Sequence, residues 1–86
     1  MSNLSIKISE NIKSLRRKAN LKQYELANKI GVNNITMSKI EKGRSSLKLA
    51  TIEKIAEVLG VGLEQVIFGE DTVILNNNVI EQLRSK

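Results

Sequence analysis

Isoleucine, leucine and alanine return along this chain every three or four residues, and the runs they form stop at glycine or asparagine. Such spacing stacks side chains on one face of an α-helix, whereas strict alternation would mark a strand. Ile8, Ile12, Leu15 and Ala19 make one stripe, which predicts a first helix starting between Ser5 and Ser9, ending near Lys18 and stopped by Asn20. Lys13, Arg17 and Lys18 fall mostly off that stripe. A second helix is predicted over Gln23 to Ile30, with Leu26, Ala27 and Ile30 inward and Gly31 at its end, where a left-handed residue is favoured. Asn33 is a suitable N-cap for a third helix that turns Met37 and Ile40 inward and stops at Gly43. A fourth covers Leu49 to Leu59, with Leu49, Ile52, Ile55, Ala56 and Leu59 inward, and Gly60 ends it. A short fifth, Leu63 to Ile67, adds Leu63, Val66 and Ile67 to the core, with Phe68 counted as core and Gly69 closing the unit. The expected fold is all-α: a compact five-helix domain over residues 1–69 with a short C-terminal extension, 70–86. A chain of 86 residues suits one domain with one modest core.

The extension has a different texture. Thr72-Val73-Ile74-Leu75 is β-prone, Asn76-Asn77-Asn78 signals a turn, and Val79, Ile80 and Leu83 suit a short helix. Its apolar residues mark either a dimerisation arm or a terminus that packs on its own domain.

Charge is divided unevenly. Residues 1–48 carry 11 Lys/Arg and 3 Asp/Glu, a balance of +8, while residues 49–86 carry 3 and 6, a balance of −3. A polycationic half suits phosphate, although a solvated surface would read the same. The absence of cysteine removes disulfides, thiolate chemistry and sulfur-ligated metal, and the absence of histidine removes the commonest general base and metal ligand. Glu53, Glu57 and Glu64 are expected on solvated helix faces, so no enzyme, metal or cofactor is expected. No apolar run nears the roughly 20 residues that span a bilayer, and Met1 to Glu10 lacks a secretion signal; a cytoplasmic protein is expected.

The stretch Gln23 to Gly43 carries the functional signal. Two short helices flank a tight turn at Gly31; Ala27 is small enough for their close crossing, and Met37 and Ile40 fasten the second helix from within. Its other face presents Asn34, Ile35, Ser38 and Lys39, with Thr36 at the edge and no acidic residue. The major groove of B-DNA admits a helix. There Asn34 suits adenine, Lys39 suits guanine O6 and N7, and Ile35 suits the thymine methyl; the alternative for Ile35 is core packing. Single-stranded RNA is a poorer fit, since Tyr24 and Phe68 are the only aromatic residues.

The run Gln23-x-Glu25-Leu26-Ala27-x-Lys29-Ile30-Gly31-Val32, followed by Ser38-Lys39-Ile40-Glu41-x-Gly43, resembles the Cro/phage-repressor type of helix-turn-helix, the XRE-like family. Ile55-Ala56-x-x-Leu59-Gly60-Val61 resembles its fourth helix and exit, so the likeness runs from about Ile8 to Gly69. The resemblance implies a lambda-repressor-like domain that binds double-stranded DNA and regulates transcription, as a homodimeric repressor on a palindromic operator. It assigns base reading to Asn34, Ile35, Thr36 and Lys39, beside Ser38 on the same face. It assigns phosphate binding to Gln23, Lys42, Arg44 and Ser46, with Asn33 and Lys22 alongside, and has Gln23 often brace a recognition side chain as well. It pairs Arg16 with Glu41 in a partly buried ion pair; two separate surface charges are the alternative. Lys22 stands where the family favours a Thr or Ser cap, Leu47 and Lys48 stand where a proline and a cap are common, and the tail matches nothing in the motif. A second expectation is an antitoxin-type protein whose tail holds a toxin partner while its basic face represses its own operon.

Overall fold

The computed structural model describes residues 3–69. They form five helices: α1 (Asn3–Lys18), α2 (Gln23–Ile30), α3 (Asn34–Glu41), α4 (Leu49–Leu59) and α5 (Leu63–Phe68). Each helix sends one side chain to a common centre, where Ile12, Leu26, Met37, Ile55 and Val66 are all fully buried. Burying a side chain of this size contributes about 1.5–3 kcal/mol, so the centre fastens every helix with a comparable share. α1 packs chiefly along α5 and also meets α3 and α4; α2 packs on α3 and α4. No helix among the described residues is long and apolar enough to cross a membrane.

Four of the helices end in one way. At the end of α2, Gly31 N–H donates to the Asn28 carbonyl at 3.3 Å and Val32 N–H to the Ala27 carbonyl at 3.0 Å. This pair of backward bonds is the Schellman motif, which satisfies carbonyls the helix leaves open. It recurs after α1 through Asn20 and Leu21, after α3 through Gly43 and Arg44, and after α4 through Gly60 and Val61. Asn20 takes the left-handed turn at φ 58°, as its short polar side chain allows. The residue that follows normally packs back on its helix. Leu21, Val32 and Val61 are half-buried there, whereas Arg44 is exposed.

Three apolar expectations are corrected. Ala19 is exposed because α1 ends at Lys18 and the chain is already turning through Asn20. Leu49 is 58% exposed. It opens α4, and helical side chains lean toward the N-terminus, so its side chain overhangs the helix start instead of the core. Phe68 is 53% exposed; each residue advances about 100° around a helix, which carries Phe68 past the face held by Val66 and Ile67. α1 also begins earlier than expected, at Asn3, and α5 runs one residue longer. The expectations for Thr72 to Leu75, for Asn76 to Asn78 and for Val79 to Leu83 lie outside the described residues.

Candidate nucleic-acid interface

α3 is a rod held from one side. Met37 and Ile40 are buried beneath it. At its start Asn33 has an extended backbone (φ −80°, ψ 166°), and its Oδ1 accepts the Thr36 N–H at 2.7 Å. That bond fixes the first turn and leaves the Asn33 amide N–H groups available to donate to a partner. At its end Gly43 is buried with φ +72°, and a Cβ there would stand 3.6 Å from Ser9 Oγ and 3.7 Å from Ile6. The end of α3 therefore lies close against α1.

Asn34, Ile35 and Lys39 stand exposed on the opposite side, with Thr36 and Ser38 half-buried at its margins. Ile35 is 69% exposed, which settles its alternative: it is no part of the core. An open hollow of about 510 Å³ gathers Gln23 from α2, Asn34, Ile35, Ser38 and Lys39 from α3, and Lys42 and Arg44 from the following loop. Three of these seven residues are cations and none is a carboxylate. Lys22, Asn33, Thr36 and Ser46 do not line the hollow; Lys22, Asn33 and Ser46 are exposed beyond it. Lys22 precedes α2 without a side-chain cap bond; its Nζ lies 6.0 Å from the centre of the Tyr24 ring, and its backbone N–H donates to Glu25 Oε1 at 2.8 Å.

One carboxylate does approach this face, and it is neutralised from within. Glu41, at the last position of α3, is buried. It accepts from Arg16 Nε at 2.6 Å, from Arg16 Nη2 at 3.1 Å and from Gln23 Nε2 at 3.2 Å. A third nitrogen, Arg16 Nη1, donates to the Leu21 carbonyl at 2.8 Å and so braces the turn after α1. Arg16 thereby joins α1, the α1–α2 turn and the end of α3, and a negative charge that would repel phosphate is cancelled in place.

Two contacts were not anticipated from sequence. The resemblance gives Gln23 a phosphate to grip and a recognition side chain to brace; in the structure its Nε2 instead completes the shell around Glu41, a partner the sequence does not name. Asn11 Nδ2 donates to the Val66 carbonyl at 3.0 Å and caps the end of α5. No periodicity marks a polar residue that reaches 55 positions along the chain.

Two short helices joined at a left-handed glycine, the second anchored from below and presenting a basic polar face, define a helix-turn-helix domain. The helix-turn-helix family model designated HTH_3 matches residues 12–66. The chain is 40% identical over 78 residues to the cryptic phage CTXphi transcriptional repressor RstR of Vibrio cholerae, covering 91% of this chain and 66% of that protein. It is 34% identical over 67 residues to the antitoxin PezA of Streptococcus pneumoniae, covering 78% of this chain and 42% of PezA. The chain thus spans less than two thirds of each of these relatives. A solved structure, a hypothetical transcription factor NHTF from Neisseria, superposes with a TM-score of 0.76 at 28% identity, covering 84% of this chain and 83% of that one. This chain belongs to the helix-turn-helix family of Cro and phage repressors.

Proposed function

We propose that the chain binds a specific double-stranded DNA site and represses transcription from it. The observation that carries this is the hollow beside α3: a helix face of groove-entering size, lined by three cations and cleared of negative charge by the Arg16–Glu41 pair. With α3 in the major groove, Asn34 pairs with adenine, Lys39 donates to guanine, Ile35 covers a thymine methyl, and Thr36 and Ser38 contact neighbouring base edges. Lys22, Gln23, Asn33, Lys42, Arg44 and Ser46 surround this face and grip phosphates. The match to a phage repressor supports the repressor role. A homodimer on a two-fold operator places one α3 in each of two successive major grooves. Residues 1–69 form the DNA-binding domain, 70–86 serve as the dimerisation arm, and the protein works in the cytoplasm.

The test compares two variants on selected duplexes. Lys39→Ala is expected to cost about 1–3 kcal/mol and to relax preference at one base position. Arg44→Ala is expected to weaken all sequences alike. An identical, sequence-blind loss for both would refute the division between base reading and backbone gripping.

The likeness to PezA favours a second reading, in which the chain also neutralises a toxin through its tail. A co-purified protein that is lost on truncation after Gly69, with DNA binding intact, would support it.

A further inference from the structure

The cations of the hollow beside α3 are not the whole of the basic surface. α1 carries a second open hollow, about 440 Å³, lined by Glu10, Lys13, Ser14, Arg17 and Lys18. Its position follows from contacts elsewhere on α1. Arg16 reaches Glu41 at the last residue of α3, and Ser9 faces Gly43 just beyond it. α1 is therefore pinned to the end of α3 at two points, seven residues apart. Lys13 lies between them, one turn after Ser9, and Arg17 follows one turn later, because residues four apart share a ridge. Asn11, which binds α5, marks the other flank of the helix. Lys13 thus stands on the flank of α1 nearer the loop of Lys42 and Arg44, and Arg17, about 40° further round, continues it on the solvent side; all four are exposed.

The helix itself does not account for both cations. Arg17, in the last turn, complements the helix dipole, but Lys13 sits mid-helix, where that effect has faded. Among the described residues, no carboxylate lies within ion-pair distance of either. Two cations without a carboxylate partner among the described residues, on a flank that leads toward the loop assigned above to phosphate contacts, suit a polyanion.

We infer that Lys13 and Arg17 form a second backbone-binding strip, which holds the phosphates next to those gripped by Lys42 and Arg44. It rests on the DNA reading above and lengthens the contact by two phosphates per protomer. Phosphate contacts carry no sequence information, so the strip adds affinity and footprint without changing base preference. Glu10, in the same hollow, opposes the strip, and its removal strengthens it.

The test is a salt titration with the full chain on a selected duplex. The Lys13→Gln/Arg17→Gln variant is expected to reduce the log–log salt slope by about 1.8 per protomer, at about 0.9 per phosphate. Glu10→Gln should tighten binding to the duplex. Lys54→Gln, an exposed cation on α4, should leave the slope unchanged. An unchanged slope for Lys13→Gln/Arg17→Gln, with a reduced slope for Lys42→Gln/Arg44→Gln, overturns the strip and leaves the DNA reading standing. An equal reduction from Lys54→Gln also overturns it, since net charge alone would then explain the loss. If wild type shows no salt-dependent duplex binding, the DNA reading fails and the strip fails with it. Thermal melting verifies that each variant is folded.

Discussion

Replacing Arg16 with methionine keeps the length of the side chain and removes its charge. Two of the three donors to Glu41 vanish, leaving the 3.2 Å bond from Gln23. The carboxylate cannot turn to water instead, because the Glu41 side chain is 2% exposed. Breaking a buried pair from one side costs about 3–5 kcal/mol, since the surviving charge stays buried. The lost bond to the Leu21 carbonyl adds roughly 1.5 kcal/mol more. Domains hold about 0.05–0.15 kcal/mol per residue, or roughly 4–13 kcal/mol for a chain of this length. Arg16→Met is therefore expected to remove between about a third and all of the stability. Removing both charges together is different, because a buried pair replaced by apolar residues is often neutral. Arg16→Met/Glu41→Met should recover about 3 kcal/mol relative to the single variant. Equilibrium urea denaturation followed by circular dichroism measures both. A single variant within about 0.5 kcal/mol of wild type, or a double variant weaker than the single, would refute the bracing role given to this pair.

Lys22→Thr should stabilise the domain by about 1 kcal/mol in the same denaturation assay, by supplying the side-chain cap that α2 lacks, and should weaken DNA binding by removing a cation. Asn33→Ala should lose about 1 kcal/mol of stability with the bond to the Thr36 N–H. Ile35→Ala should leave stability nearly unchanged, since the side chain is already exposed. Its effect should fall on DNA, where thymine-to-uracil replacement at the contacted position weakens wild type by about 0.8 kcal/mol and leaves the variant indifferent. Competition binding with the modified duplexes decides this.

The helices were legible because two independent signals coincide. Apolar spacing places Ile12, Leu26, Met37, Ile55 and Val66 inward, and a residue suited to left-handed backbone follows each of the first four helices. α2 and α4 accordingly begin and end where expected. Errors gathered at the ends of stripes. Leu49 and Ala19 fit the period but sit where no neighbouring helix covers them, and periodicity alone cannot tell the last covered turn from the first bare one. Phe68, counted with the core, lies past the covered face at its helical angle. The exposed face of α3 was legible in composition, but its electrostatics were only half so. The Arg16–Glu41 pair follows from resemblance and from the misfit of an acid beside phosphates, whereas the Gln23 bond depends on how α2 and α3 cross, which no local pattern encodes. The Asn11 cap on α5 is a tertiary contact of the same kind.

Selection of bound duplexes from a random pool, with the full chain as bait, tests the central claim most directly: that α3 offers its exposed side to base pairs. Enriched sequences should share two inverted half-sites about 34 Å apart, one helical turn, and the same selection with Lys39→Ala should lose preference at one position in each half-site. A pool that emerges without any shared sequence, or with a shared sequence indifferent to both Lys39→Ala and Ile35→Ala, would contradict it.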